Sequence, residues 1–439
     1  MTRDPQPTLR ELVAEVSAGR RRCREGVEAA LARCDALEPH LQAWVCQDRA
    51  GVLAQADAAD ARLAQGAPAR LLEGVPLGVK DIIDVAGLPT RMGSALTDER
   101  PAAASAECVR RLQEAGALVL GKTVTTEFAY YTPGRTRNPW NTAHTPGGSS
   151  SGSAAAVACG MVAGALGTQT NGSIIRPAAF CGVVGYKPSL GAISSDGTLD
   201  PWPSLDHTGV FARNVADAAL LAHVMSAGAV PATLDASGGQ RLLVVRTPVW
   251  REAEPHAQAV FLATIDRLQA AGADITAREL PEEFGAAHAA LRTLMAREAA
   301  LHFRVLRETH GEGLSPQLRA LIDEGAALDD DAYPRALGVQ RALRERYADF
   351  IAAFDAVLTP ATPGEAPATL EQTGSPVFCS LWSLLGVPAI TIPCALGRHG
   401  LPLGLQITAA SGAEAAALDA AAWCAAQLDF PDLKPGTRR

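Results

Sequence analysis

Two short turns rich in glycine and serine carry the hydroxyl groups best suited to nucleophilic chemistry in this chain. The first is GGSSSG at residues 147–152, and the second is NGS at residues 171–173. Glycine lets the backbone turn sharply and brings N–H groups close to a reacting atom, as an oxyanion site requires. Residues 154–166, between the turns, are mostly small and apolar and predict a buried helix that could run into a strand. The segment is shorter than the ~20 residues that cross a bilayer.

Glycine-serine tracts of this kind are, in isolation, more often flexible linkers between domains. A linker joins separately folded units, whereas this tract continues directly into apolar sequence that has to be buried. We therefore favour a site built from two serine-bearing turns over a linker.

A lysine at the end of a predicted strand is the candidate base for these hydroxyls. Residues 75–79 alternate in the pattern of a short strand, and Lys80 follows at its end. A lysine in such a position is usually a solvated charge, but here apolar residues also follow it, including Ile82 and Ile83. Burial disfavours the ammonium form, so an enclosed Lys80 could accept a proton.

The sequence GALVLGKT at residues 116–123 matches the GxxxxGK[ST] pattern of a nucleotide-binding P-loop. A P-loop needs free backbone amides in its middle residues. Residues 117–120 are instead apolar and predict a strand, whose amides would be used in a sheet. We therefore reject nucleotide binding.

Ser150 is a second candidate nucleophile, because residues 148–152 match the G-x-S-x-G nucleophile elbow. An elbow follows a buried strand and is completed by an acid and a histidine further along the chain. Residues 141–146 predict a loop, and the histidines that follow Ser150 have no persuasive context. A Ser-His-Asp hydrolase that uses Ser150 remains the enzymatic alternative from the residues alone.

Several longer motifs, in the same order, resemble the amidase signature family of hydrolases. They are GVPLGVKD at 74–81, GKT at 121–123 with EF at 127–128, GGSSSGSA at 147–154, GTQTNGS at 167–173, FCGVVGYKP at 180–188, DHTGVFAR at 206–213 and LGVPA at 385–389. The resemblance is dense over residues 72–225 and thinner over 376–408. It implies an α/β fold, layered α/β/α, with a large mixed central sheet flanked by helices.

The resemblance also implies a Ser–cis-Ser–Lys triad. Ser173 is then the nucleophile, Ser149 is the bridging serine after a cis peptide bond, and Lys80 is the terminal base. Lys80 would accept a proton through Ser149 as Ser173 attacks a carbonyl, and would return it to the departing amine. The expected oxyanion hole consists of backbone amides, those of Thr170, Asn171, Gly172 and Ser173.

Two departures from the family pattern affect the loop before the nucleophile. Members commonly have Asp-Thr-Gly-Gly-Ser where this chain has Gln169 and Asn171 in a QTNGS sequence. Asparagine tolerates positive φ better than most residues, so the turn need not be lost. Arg176 stands one place later than the arginine of the commoner form. Both departures leave the triad intact and concern the oxyanion loop and substrate fit.

Helix and strand patterns alternate along the whole chain, which favours an α/β layered fold. Residues 1–70 predict three helices, a flank that covers the core or serves a dimer interface. Residues 71–439 form the catalytic domain, and flank and domain are expected to form one structural unit. Residues 231–375 match the family least, so we expect them to determine substrate specificity.

Composition and charge exclude several other classes of protein. With 48% hydrophobic and 20% charged residues, the chain is typical of soluble globular proteins. The net charge of −8 argues against a nucleic-acid surface. Nine cysteines without C-x-x-C spacing argue against a disulfide framework and a structural zinc site. The N-terminal residues lack an apolar signal region, so we expect a cytoplasmic protein without a membrane partner.

The function implied by the resemblance is hydrolysis of linear amides, anilides or carbamates, with esterase side activity and with no cofactor or metal. The partner would be a small-molecule substrate, and a homodimer stays open. We expect Phe378 and Trp382 to wall the substrate pocket, with core packing as an equal alternative.

Two other functions remain as alternatives. The amidase subunit of a tRNA-dependent amidotransferase would need protein partners and a charged pocket for the α-carboxylate and α-amine of glutamine. A catalytically inactive binding module is the other, and the intact Lys80, Ser149 and Ser173 argue against it.

Overall fold

The computed structural model describes residues 7–237 and 240–431. The helices are α1 (Leu9–Ser17), α2 (Cys23–Leu41), α3 (Arg49–Ala64), α4 (Glu107–Glu114), α5 (Ser151–Ala158), α6 (Ile175–Cys181), α7 (Val215–Met225), α8 (Pro255–Ala270), α9 (Ala287–His302), α10 (Arg304–His310), α11 (Pro316–Ala326), α12 (Ala332–Ile351), α13 (Val377–Leu385) and α14 (Glu414–Gln427). The strands are β1 (Trp44–Gln47), β2 (Pro76–Lys80), β3 (Leu118–Thr123), β4 (Gly164–Gln169), β5 (Val184–Lys187), β6 (His207–Ala212), β7 (Arg241–Arg246), β8 (Asp274–Glu279), β9 (Ala356–Pro360), β10 (Ala389–Leu396) and β11 (Pro402–Thr408).

These strands form one mixed sheet of eleven strands within the described residues. Their order is β1-β3-β2-β4-β6-β5-β10-β11-β9-β7-β8. Strand β2 runs parallel to both β3 and β4, whereas β4 and β6 are antiparallel. At the other end of the sheet, β7 runs parallel to β8 and β9. The predicted α/β class with a large mixed sheet is confirmed.

Helices cover both faces of the sheet. One face packs against α1, α4, α7, α8 and α14. The other packs against α2, α3 and α5 over one half and against α9, α11, α12 and α13 over the other half. Strands β2, β3, β4 and β6 are therefore buried along their whole length, as expected when both faces of a sheet are covered.

The small residues after the first serine turn allow close packing around α5 and β4. The predicted helix and strand at 154–166 are present as α5, a turn and β4. A side chain at Gly152 would meet the Ala43 carbonyl oxygen at 2.2 Å, and one at Gly167 would meet Phe211 at 2.5 Å. Residues 118–123, which match the P-loop pattern, form β3, in agreement with the rejection of a phosphate loop.

The N-terminal segment contributes more than helices to the fold. Thr8 and Glu11 form a capping box at the start of α1. The sequence did not predict β1, which pairs antiparallel with β3 and forms one edge of the sheet. Within the described parts of the chain, every helix is too short or too polar to traverse a bilayer.

Candidate active site

The site lies where two parallel strands end side by side. Lys80 is the last residue of β2, and β4 ends at Gln169, four residues before Ser173. Val79 pairs with Leu166, so the carboxyl ends of β2 and β4 meet at the same edge of the sheet. Such edges are the usual ligand sites of open α/β sheets.

Lys80 is completely buried and bonds to two hydroxyls. Its Nζ lies 2.7 Å from Ser149 Oγ and 2.7 Å from Thr168 Oγ1. Burial lowers the pKa of Lys80 to about 7, although the nearby Asp206 carboxyl acts in the opposite direction. A large fraction of Lys80 is therefore a neutral amine near pH 7, the form that can accept a proton.

Ser149 and Ser173 line the same cleft. The peptide bond between Gly148 and Ser149 is cis. Within the described residues, Ser149 Oγ bonds to Lys80 and forms no hydrogen bond to Ser173. The two serines share a cleft without a formed bond between their hydroxyls, as is frequent in sites without substrate.

The loop that carries Ser173 has free backbone donors. Across the described chain, none of the four amides expected to form the oxyanion hole has a protein acceptor, and the residues line the cleft beside Ser149; they are Thr170, Asn171, Gly172 and Ser173. Backbone amides that have no protein acceptor and lie beside a nucleophile can stabilise an oxyanion.

Asp206 anchors the start of this loop. Thr170 Oγ1 donates a hydrogen bond to Asp206 Oδ1. Trp202 N donates to Asp206 Oδ2 at 3.1 Å. Burial raises the pKa of Asp206 well above its ordinary value. Sequence reasoning assigned no role to this residue, although it begins the DHTGVFAR motif, because its contact with Thr170 depends on the pairing of β4 with β6.

Arg176, on α6, bonds to two other segments beneath the cleft: the first serine turn and the loop before α13. Its guanidinium donates to the carbonyl oxygens of Gly148 and Gly374, each at 2.6 Å. The side chain is buried, and burial lowers the pKa of Arg176. The later position of this arginine is visible in the sequence, but its bond to the residue before Ser149 was not predicted.

The walls of the cleft beside Ser173 are aromatic and apolar. They include Tyr130, Tyr131, Trp202, Met295 and Pro376. An adjoining, more open space shares part of these walls and adds a second set of residues, namely His288, Leu291, Arg292, Val377 and Ser380. We call the two spaces together the cleft. Much of its outer wall comes from α9, which carries no recognisable sequence motif.

Phe378 and Trp382 do not have the position expected for pocket walls. Both are almost completely buried, and neither lines the cleft. The ring of Trp382 packs against Tyr347, with 5.6 Å between ring centroids. The structure thus corrects this expectation: α13 turns Val377 and Ser380 to the cleft and these two aromatic rings to the core.

Ser150, the alternative nucleophile, is directed away from the cleft. It is fully buried, and its hydroxyl donates to the Thr168 carbonyl and accepts from the Thr168 amide, both at 3.3 Å. The residues before it form a loop instead of the strand that an elbow needs.

Comparison with known proteins matches most of the chain to one protein family. The family model described as Amidase matches residues 25–418. A subunit of the glutamyl-tRNA(Gln) amidotransferase of Roseiflexus castenholzii is 35% identical over 433 residues, which covers 87% of this chain and 88% of that protein. The protein of the same name from Myxococcus xanthus is 35% identical over 450 residues, covering 91% and 93%.

Solved structures agree with this comparison. A crystal structure described as an amidase has a TM-score of 0.88 and 32% identity, and the match covers 96% of this chain and 100% of that chain. The native peptide amidase from Stenotrophomonas maltophilia has a TM-score of 0.85 and 30% identity, with coverage of 99% and 100%.

Proposed function

This chain belongs to the amidase signature family, and we propose that it is an amidohydrolase that cleaves linear carboxamide C–N bonds through an acyl-enzyme on Ser173. One observation carries the proposal. A fully buried lysine, with its pKa lowered to about 7, bonds to Ser149 beside the cleft that Ser173 lines. Burial and hydroxyl contacts suit a proton acceptor better than a structural charge.

In the proposed mechanism, Ser173 Oγ attacks the substrate carbonyl carbon while its proton passes to Ser149 and the Ser149 proton passes to neutral Lys80. The amides of Asn171, Gly172 and Ser173 stabilise the negative oxygen that forms. Lys80 then returns the proton through Ser149 to the departing amine nitrogen, and the C–N bond breaks. Water attacks the acyl-enzyme by the same proton route, which releases the acid.

The cleft supports a neutral substrate with an apolar or aromatic group. Tyr130, Trp202 and Met295 form apolar walls next to Ser173. Among the described residues that line the cleft there is no aspartate or glutamate. Amides, anilides and carbamates have the required acyl carbon and amine leaving group, and activated esters should react as a side activity.

The amidase subunit of a tRNA-dependent amidotransferase is the second candidate. The names of the relatives that are 35% identical favour it more strongly than they favour a free-standing hydrolase. That function requires recognition of both the α-amine and the α-carboxylate of glutamine. The two arginines of the cleft are already engaged, Arg176 with two carbonyls and Arg292 with Glu324. The cleft lining therefore favours the neutral amide.

Covalent labelling tests the nucleophile directly. A fluorophosphonate probe should add one adduct to the purified chain, detected by intact mass and located at Ser173 by peptide mapping. Ser173→Ala should abolish the adduct, and Ser150→Ala, the matched control from the other turn, should keep it. Loss of the adduct in the control alone would favour the Ser150 hydrolase.

A substrate panel then separates the two candidate functions. Aryl amides, aliphatic amides, carbamates, esters and glutamine would be tested on one sample of the single chain. Hydrolysis of neutral aryl amides supports the proposal. Hydrolysis confined to glutamine would favour the amidotransferase reading.

A further inference from the structure

Gln169 stands where the family commonly has aspartate, and its carboxamide is fully buried beside the nucleophile. Its Oε1 accepts from the amides of Ile174 at 2.8 Å and Ile175 at 3.0 Å, the two residues after Ser173. Only the oxygen of a carboxamide can accept from two amides, so the orientation of the group is fixed. Its nitrogen consequently faces Ser383 on α13 and donates to Ser383 Oγ at 3.0 Å.

Ser383 in turn forms a hydrogen bond to the oxyanion loop, residues 170–173. Because it accepts from Gln169, its own proton is free to donate, and it does so to the Asn171 carbonyl oxygen at 2.6 Å. A trans peptide group is planar, so its C=O and N–H point in opposite directions. Holding the Asn171 carbonyl toward α13 therefore directs the Gly172 amide away from α13.

The same face of α13 lies unusually close to this loop. A side chain at Gly172 would meet Pro376 at 2.8 Å and Cys379 at 3.2 Å, so the approach depends on glycine. Ser380, one helical turn before Ser383, makes a second bond from its Oγ to Asn171 Oδ1 at 2.6 Å. Gln169 and Asn171, the two residues that differ from the common Asp-Thr-Gly-Gly-Ser sequence, thus both contact serines of α13.

We propose that Gln169 and Ser383 are positioning residues for amide hydrolysis. They form a neutral hydrogen-bond relay, from the Gln169 N–H through the Ser383 hydroxyl to the Asn171 carbonyl, that aims the Gly172 amide at the oxyanion. An ionised carboxylate at position 169 could accept from the two backbone amides but could not donate to Ser383. This inference rests on the proposed role of Ser173 as nucleophile.

Gln169→Glu tests the direction of the relay. Burial should raise the pKa of the new carboxyl group. In its protonated form the group donates to Ser383, as glutamine does. In its ionised form it accepts the Ser383 proton instead, and the Asn171 carbonyl loses its donor. The rate of fluorophosphonate labelling of the variant, divided by the wild-type rate at the same pH, should fall as pH rises from 6 to 9. A constant ratio would overturn the directional relay.

Ser383→Ala removes the relay without introducing charge. For the labelling reaction, we expect the maximal rate kinact to fall about 10- to 100-fold, the scale of a misplaced oxyanion donor, with KI nearly unchanged. Ser226→Ala is the matched control outside the cleft. Its buried hydroxyl donates to the His223 carbonyl and accepts from the Val230 amide, away from the oxyanion loop, so its kinact should stay near the wild-type value.

The outcomes separate this inference from the proposed function. Loss of labelling in Ser173→Ala, together with wild-type kinact in Ser383→Ala, would overturn only the relay. Full labelling of Ser173→Ala would overturn the proposed function itself. If Ser383→Ala does not fold, the nearly isosteric Gln169→Glu still decides the question through its pH profile.

Discussion

The charge state of Lys80 should control the rate of catalysis near neutral pH. Its folded pKa of about 7 lies below the ordinary value of ~10.4 because burial disfavours the ammonium form. The base is neutral above its pKa, so activity should rise with pH through about 7 and then level off. The measurement is kcat/KM for an aryl amide, or the labelling rate, between pH 5.5 and 9.5.

Lys80→Arg should remove this activity by several orders of magnitude, since guanidinium does not lose its proton in proteins. Lys122 of β3 provides a matched control, because it is also buried but forms an ion pair with Asp81 at 3.1 Å. Lys122→Arg should keep the pH dependence. Substantial turnover by Lys80→Arg would mean that Lys80 is a structural charge and that the base lies elsewhere.

The three residues proposed as a triad stand out in the sequence, but most of the residues that contact them do not. Lys80, Ser149 and Ser173 stand in long motifs, and the apolar residues on both sides of Lys80 indicated burial. The bond of Lys80 to Thr168 joins β2 to β4, and the bond of Thr170 to Asp206 joins the residue after β4 to the residue before β6. Such contacts depend on strand order and register, which local sequence does not encode.

Among the helices, α13 has some side chains that line the cleft and others that pack in the core. Trp382→Ala should lower the free energy of unfolding by about 3–5 kcal/mol, the usual cost of truncating a buried aromatic side chain. Substrate ranking should stay the same, since the ring packs on Tyr347 and does not line the cleft. Thermal melting and relative kcat/KM over the substrate panel measure the two effects.

Met295→Ala, on α9, is the counterpart inside the cleft, and it should change the ranking more than Trp382→Ala does. If Trp382→Ala changes the ranking more than Met295→Ala does, then Trp382 lines the substrate pocket. The sequence could not decide this point because FCSLWSLL is apolar on most sides of the helix. Without a polar face, periodicity does not tell which side chains face solvent or substrate.

Lys187, at the end of β5, should make the stability of the sheet depend on pH. Its Nζ donates to the Val387 carbonyl at 2.6 Å, just before β10, and burial lowers its pKa to about 7. Between about 7 and the unfolded value of ~10.4, the unfolded chain binds a proton that the folded chain does not. The free energy of unfolding should therefore rise with pH across this window.

Lys187→Met tests that contribution. Urea unfolding at pH 6.5 and pH 9 should show a smaller rise for the variant than for the wild type. Lys80 has a shift of the same sign, so part of the rise should persist. An equal rise in both proteins would mean that Lys187 does not titrate in this window.

For the whole molecule, the alternation of helices and strands was readable, whereas the order of the strands was not. The alternation of apolar residues at 75–79 identified β2 locally. Strand β1 is four residues long and is stabilised by pairing with β3, which lies more than seventy residues later. The structure was therefore required to show the pairing between distant segments and to show that α9, within 231–375, lines the cleft.

One chain should be sufficient for activity. Tyr130, Trp202, Met295 and Ser173 all belong to this chain and lie around one cleft, so the purified protein should hydrolyse neutral aryl amides without a partner. Glutamine should react at least about 100-fold less efficiently by kcat/KM. Its α-ammonium would find no carboxylate among the described cleft residues, and an unpaired charge in a desolvated site costs several kcal/mol.

Light scattering coupled to gel filtration, run on the sample used for kinetics, fixes the assembly state to which the activity belongs. Ser173→Ala, prepared identically, controls for contaminating hydrolases, since its cleft walls are unchanged. A chain that is inert toward every neutral amide and labels at Ser173 only when another protein is added would contradict the prediction. That result would favour the role of an amidotransferase component, because the partner would then supply what the cleft lacks.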